Sequence, residues 1–199
     1  MKYISVAVDG PAGAGKSSVS KAVAKSLGYT YIDTGAMYRA VALFAINNGI
    51  DAKNETEKLI SRLNEVEIDI KYTDEGQQIY LLGENVSKRI REEDVSVGAS
   101  NVAVIPEVRK KLVELQRKMA ESANVIMDGR DICSYVLPNA DVKIFLTASA
   151  ESRAKRRYDE FVAKGVAANY DDVLRDVKAR DERDATRKDA PMKPAEDAY

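Results

Sequence analysis

The chain has 199 residues, enough for one sizeable domain with a substantial core. Its formal net charge is −1, from 31 basic and 32 acidic residues, and such balance argues against a nucleic-acid polymer, which demands a basic face. There are 0 histidines and a single cysteine, Cys133, which excludes histidine general bases, His-ligated zinc, Ser-His-Asp catalysis and internal disulfides.

What remains for chemistry is carboxylates, arginines, lysines, hydroxyls and bound metal. Phosphoryl transfer suits that inventory, because it relies on positioning and charge neutralisation. No apolar run reaches the length of a membrane span, and Met1-Lys2 leads straight into a strand pattern without a signal peptide. The expectation is a cytoplasmic monomer whose partners are small nucleotides, not membranes or nucleic-acid polymers.

Tyr3 to Val8 is a near-continuous apolar run, as in a strand covered on both faces. It runs into Gly10-Pro11-Ala12-Gly13-Ala14-Gly15-Lys16-Ser17, which matches G-x-x-x-x-G-K-[ST]. Gly10, Gly13 and Gly15 allow the tight bends that aim successive N–H groups at one anion. Lys16 can reach terminal phosphates, and the Ser17 hydroxyl can hold a Mg²⁺ ion. A helix from Ser17 to Leu27 adds the positive end of its dipole to the same place and stops at Gly28.

Tyr29 to Ile32 reads as a second strand, followed by a helix with Thr34 as N-cap that runs towards Asn47-Asn48-Gly49. A further helix is expected over Glu55 to Asn64. Val66, Ile68, Ile70 and Tyr72 then alternate with polar residues, Asp74-Glu75-Gly76 supplies a turn, and Gln78 to Leu82 returns. This hairpin, within about 65–94, reads as a small lobe inserted into a strand–helix alternation whose core covers about 1–64 and 95–199. A short helix follows near Val95 to Val104. Pro106 opens a stronger one with the apolar stripe Val108, Leu112, Leu115 and Met119.

Val125 to Met127 and Val142 to Leu146 are buried-type strands, and two helices close the chain at about Ala150 to Lys164 and Tyr170 to Lys188. The fold class is α/β, a parallel sheet covered by helices on both faces, of the phosphate-loop NTPase type. Such sheets place ligands at the carboxyl ends of their strands. Asp33–Gly35 and Asp128-Gly129-Arg130-Asp131 both lie at such ends. Asp128 is the kind of carboxylate that orders Mg²⁺ and its waters beside a phosphate loop, although Asp-Gly is also common turn chemistry.

On the last helix Val173, Val177, Arg180, Asp184 and Arg187 are spaced four, three, four, three, so they share one face. That face starts apolar and turns charged, which aims the charged groups into a cleft. A solvated helix end with an Arg180–Asp184 pair fits the same spacing. Arg39 after Tyr38, Arg109, Arg130, and Arg153, Arg156 and Arg157 at helical spacing supply the planar donors that a phosphate-binding cleft uses.

The phosphate loop, Asp33-Thr34-Gly35-Ala36-Met37-Tyr38-Arg39, Asp128-Gly129-Arg130-Asp131, Arg180-Asp181-Glu182-Arg183-Asp184 and Ala190-Pro191-Met192-Lys193-Pro194 together resemble the bacterial cytidylate kinase family over essentially the whole chain. The resemblance implies transfer of the γ-phosphoryl group of ATP to CMP or dCMP with Mg²⁺. It assigns the ATP phosphates to Gly10, Pro11, Ala12, Gly13, Ala14, Gly15, Lys16, Ser17 and Ser18, with Ser17 on the metal. Arg39 and Arg130 would grip the CMP phosphate, with Tyr38 beside them. Ser100, Arg109 and Arg187 would read cytosine; Thr34, Arg180 and Asp184 would lie near the ribose; Asp131 would support the acceptor site. Lys16, Asp128, Arg130, Arg153 and Arg157 would carry catalysis, the last two from an Arg-rich lid over about 150–165.

Two departures from that family stand out. Ile132-Cys133-Ser134 replaces the usual Ile-Gly-Thr, and the sequence stops at Tyr199 where members usually continue into another strand and a helix. The expectation is therefore either a truncated chain or a sheet lacking one covering element, and Cys133 as a small packing residue. Related kinases acting on UMP, AMP or a non-nucleotide acid are the alternative, as is a non-catalytic nucleotide-dependent switch. The absence of Asn-Lys-x-Asp weakens the GTP version of the switch.

Overall fold

The computed structural model describes residues 2–73 and 76–199. It divides into two compact units, residues 1–31 with 123–199, and residues 32–122.

The first unit is built on a sheet of order β2-β6-β1-β7. β1 (Ser5–Asp9) pairs in parallel with β6 (Val125–Asp128) on one side and β7 (Val142–Phe145) on the other. β2 (Thr30–Asp33) lies at the far edge, where the Thr30 N–H donates to the Asn124 carbonyl at 2.9 Å. At the opposite edge Tyr199 extends the ladder beyond β7: its N–H donates to Lys143 O (3.1 Å), and its carbonyl accepts from the Phe145 N–H (2.9 Å).

The near-continuous apolar character of β1 and β6 is explained by burial of alternate residues on opposite faces. Val8 and Ile126 pack with Ala24 of α1 (Lys16–Leu27) and Tyr31, while Ala7 and Met127 are fully buried on the other face. That second face meets a turn of π-helix at Ile132–Val136, which contacts β1. The unit ends in α6 (Ala150–Ala163) and α7 (Tyr170–Thr186), packed on each other.

The second unit contains α2 (Thr34–Asn47), α3 (Thr56–Ser61), α4 (Glu93–Val102) and α5 (Pro106–Ala120). A three-stranded antiparallel sheet, β3 (Ile68–Thr73), β4 (Gly76–Leu81) and β5 (Glu84–Asn85), accompanies them. Its core joins Met37, Leu43 and Phe44 of α2 to Leu59, Ile79, Ile90, Val95 and Leu112, so the hairpin and the helices share one hydrophobic cluster. The hairpin is as expected, with β5 added as a short third strand. Of its turn, Asp74 and Glu75 lie outside the described residues. The helix expected over Glu55 to Asn64 is split into α3 and a 3-10 turn at Leu63–Glu65.

Thr34 does not cap α2. It is the first helical residue, and the cap is Asp33, whose Oδ1 accepts the Ala36 N–H at 3.0 Å. A carboxylate one residue earlier reaches the free N–H groups of the first turn, which are the strongest donors there. Among the described residues no helix is long and apolar enough to cross a membrane.

Candidate active site

The phosphate loop leaves β1 through a backbone shape that only glycine permits. Gly10 has φ +140°, and a Cβ there would sit 1.9 Å from the Leu146 carbonyl oxygen. Gly15, at φ 99°, is the left-handed residue from which α1 starts. Lys16 is buried and folds back onto its own loop, its Nζ donating to the carbonyls of Gly10 (2.6 Å) and Pro11 (2.8 Å). Burial pushes its pKa from 10.5 down to about 7, with Arg130 adding to the fall and Asp128, Asp9 and Asp184 opposing it. Ser18 lies exposed on the next position of the helix.

The Ser17 hydroxyl donates to Asp128 Oδ2 at 2.8 Å, and the Tyr31 hydroxyl donates to the same carboxylate at 3.3 Å. Asp128 is thus held at the end of β6 beside the start of α1, the place expected for it. Hydroxyl and carboxylate oxygens side by side form a hard-oxygen donor set, which fits Mg²⁺.

Just beyond Asp128, Arg130 and Asp131 each enter a charge pair. Arg130 Nε donates to Asp184 Oδ2 at 2.9 Å, and Arg187 NH2 lies 2.8 Å from Asp131 Oδ1 with both side chains almost fully buried. The charged face of α7 therefore does turn inward. Val173 is buried, Val177, Arg180 and Asp184 are half-buried, and Glu182, Arg183 and Ala185 are exposed. Asp184 pairs with Arg130. One detail differs from the expected stripe. Arg187 stands just past the helix end in extended backbone, its Nε donating to the Ala190 carbonyl at 2.7 Å.

The arginines of α6 are not equivalent. Arg153 is buried and fully engaged, by Asp181, by the Ala12 carbonyl of the phosphate loop (3.1 Å) and by the Ala148 carbonyl (2.9 Å). Arg156 is exposed, with one guanidinium nitrogen 3.8 Å from where a Cβ on Gly15 would be. Arg157 pairs with Glu160 at 3.2 Å and stacks on Phe161.

In the second unit, α2 carries Thr34 (buried), Tyr38 and Arg39 (half-buried), α4 carries Ser100 (half-buried), and α5 carries Arg109 (buried). α2 packs against both α4 and α5. Asp33 is held below the ordinary carboxylate range. Burial opposes this, and the nearby Arg91 and Arg39 guanidiniums outweigh it.

Two residues at this site had no prior assignment. Asp181 is one turn before Asp184 on the same face of α7, a spacing that the sequence offers. Asp9 is completely buried and accepts the Ile132 and Cys133 N–H groups at 2.8 and 2.7 Å. Its position at the end of an apolar strand was the available signal. Cys133 is a buried packing residue, as expected, with its Sγ directed at the Ala7 and Ile144 carbonyls.

The family model for cytidylate kinase matches residues 6–199. The cytidylate kinases of Caldicellulosiruptor bescii and Caldicellulosiruptor saccharolyticus are each 52% identical to this chain over 198 residues, 100% of it and 87% of their own length. That of Carboxydothermus hydrogenoformans is 51% identical over 194 residues, 97% of this chain and 86% of its own length. With a phosphate loop, a Ser17–Asp128 pair and Arg–Asp pairs formed by the segment after β6, and with relatives of this closeness over its whole length, the chain belongs to the cytidylate kinase family.

Proposed function

We propose that this protein transfers the γ-phosphoryl group of ATP to CMP, and to dCMP, giving ADP and CDP or dCDP. The observation that carries the reading is the match to cytidylate kinases over residues 6–199 at about half identity. The geometry supports it. Ser17 and Asp128, 2.8 Å apart, offer oxygens that would hold Mg²⁺ together with the nucleotide. When bound, the ion supplies charge neutralisation on the phosphates.

Gly10 to Ser18 cradle the ATP phosphates, and the buried Lys16 ammonium exchanges its two loop carbonyls for phosphate oxygens. From the first unit, Arg130 binds the CMP phosphate, Arg187 reads cytosine, Arg180 and Asp184 lie at the ribose, and Asp131 supports the acceptor site. From the second unit, Arg39 and Tyr38 serve the CMP phosphate, Thr34 the ribose, and Ser100 and Arg109 the base. These roles rest on the resemblance, residue by residue. No general base is required, because a nucleotide phosphate oxygen is already ionised at neutral pH. Arg153 and Arg157 neutralise charge on the transferring group, with Arg153 already positioned on the loop through Ala12. The single buried cysteine fits a reducing compartment such as the cytoplasm.

The test is ADP formation from ATP and Mg²⁺ with CMP, dCMP, UMP, AMP or no acceptor. Fast turnover with CMP, similar or slower turnover with dCMP, and little without acceptor are expected. Equal ADP release with and without CMP overturns the kinase reading. Arg187→Ala is expected to impair CMP use far more than ATP binding.

A further inference from the structure

Asp9 sits at the last position of β1, directly before the phosphate loop, and is 0% exposed. Its backbone is fixed by Leu146, whose N–H donates to the Asp9 carbonyl at 2.8 Å. Its side chain crosses to the segment after β6. Oδ1 accepts the Ile132 N–H at 2.8 Å and Oδ2 accepts the Cys133 N–H at 2.7 Å. Those two amides open the π-helical turn Ile132–Val136, which closes on itself through Val136 N–H to Asp131 O (3.1 Å) and Leu137 N–H to Ile132 O (2.8 Å).

The first N–H groups of any helical turn have no partner inside it, and here they are buried. A single carboxylate from another strand satisfies both. The residues immediately before them are Arg130 and Asp131, one paired with Asp184 and the other with Arg187. A backbone pinned at two successive amides, Ile132 and Cys133, has reduced freedom in the residues just before them.

We propose that Asp9 is a positioning residue for the acceptor nucleotide: from the strand that launches the phosphate loop, it locks the segment that carries Arg130 and Asp131. The inference rests on the CMP-kinase reading for what those residues bind, and not for the lock itself. It also accounts for a carboxylate in the interior of the sheet, where an apolar residue would pack without desolvation cost.

Asp9→Asn tests it. The amide keeps the shape, but its NH₂ faces one of the two backbone donors, and one bond is lost. Losing a charge-assisted bond of this kind is expected to weaken CMP binding about ten-fold by calorimetry. ADP binding is expected to change less than about two-fold, because the loop's own amides are untouched. A purely structural Asp9 would lower thermal stability and the active fraction, with both affinities of the folded fraction unchanged, and that result overturns the proposal. Wild-type protein that fails to bind CMP overturns the functional reading instead. The lock is then judged by ¹⁵N spectra, in which Asp9→Asn is expected to shift the Arg130 and Arg187 Nε signals, and unshifted signals overturn it. Should Asp9→Asn not fold, hydrogen exchange on the wild-type protein decides. CMP is expected to slow exchange of the Ile132 and Cys133 amides at least about ten-fold, since coupling is reciprocal, and unchanged exchange overturns the proposal.

Discussion

Arg153 and Asp181 form a two-pronged ion pair, NH1 to Oδ1 at 3.0 Å and NH2 to Oδ2 at 2.5 Å, that fastens α7 to the arginine holding the Ala12 carbonyl of the phosphate loop. The Arg153 side chain is 5% exposed and that of Asp181 25%, so the pair is shielded from solvent on one side and open on the other. Removing the carboxylate leaves a buried guanidinium with the Ala12 and Ala148 carbonyls as its partners among the described residues. Asp181→Ala is expected to lower stability by about 1–3 kcal/mol in urea titration. Asp159→Ala, which breaks the exposed Lys155–Asp159 pair, is expected to cost at most about 0.5 kcal/mol. Equal losses in the two variants would show that Arg153 draws nothing from its burial.

This pair also marks where the sequence stops being legible. Strand and helix order, the phosphate loop and the inward turn of α7 follow from periodicity and glycine spacing, which are local properties. The choice of partner is not local. Asp181 and Asp184 occupy the same helix face, and nothing in their spacing decides that one meets Arg153 and the other Arg130. Asp9 escaped for the same reason, because its partners lie 123 and 124 residues away. The exchange of Thr34 for Asp33 as cap is a one-residue boundary error, where two good capping residues stand side by side. Just past the end of α7, Arg187 turns to Asp131 and Ala190, which are likewise partners that helix spacing does not name.

On the proposed assignment of Lys16 to the ATP phosphates, nucleotide binding is expected to be proton-linked. Its pKa is lowered to about 7 in the free protein, chiefly by burial, and next by Arg130. For a lysine with a depressed folded pKa, the unfolded chain binds more protons between that value and 10.5. Burial of the charged form therefore penalises the fold below about pH 7, and the penalty is relieved as pH rises towards 10.5. Phosphates arriving at Nζ are expected to restore the charge. ADP binding at pH 8 is expected to take up a proton, read as a dependence of binding enthalpy on buffer ionisation enthalpy. The uptake is expected to shrink at pH 6 and to vanish in Lys16→Met. Uptake that persists in Lys16→Met would locate the proton elsewhere.

Cys133 stands where the family resemblance leads one to expect glycine, and its side chain is buried. Burial, and then the neighbouring Asp9 carboxylate, push its thiol up to about 12. At pH 8 thiolate is negligible, so the native protein is expected to resist a disulfide reagent that labels it at once in urea. Cys133→Gly keeps the N–H bond to Asp9 but removes buried contacts and loosens the π-helical turn, at an expected cost of about 1–2 kcal/mol in urea titration. Rapid labelling of the folded protein would contradict the packing role.

In the second unit, Asp33 joins the start of α2 to β4 and to the 3-10 turn Arg89–Arg91. Its N–H donates to Gln77 Oε1 on β4 (2.7 Å), Oδ1 caps Ala36 (3.0 Å), and Oδ2 accepts from Arg91 NH2 (2.9 Å). Asparagine caps a helix as well as aspartate does, so Asp33→Asn isolates the charge. The folded-state pKa of Asp33 lies below 3.8, with Arg91 the largest cause acting in that direction. A carboxylate of this kind stabilises the fold above its unfolded pKa, and the contribution is lost as pH falls through the folded value. At pH 7 Asp33→Asn is expected to cost about 1–3 kcal/mol, through the charge-assisted bond to Arg91. The gap to wild type is expected to close as the carboxylate protonates at strongly acidic pH. Urea titrations from pH 7 down to the acid limit of folding measure it, with Arg91→Met expected to narrow the gap in the same direction. A gap of constant size across that range would mean that shape, not charge, holds Asp33 in place.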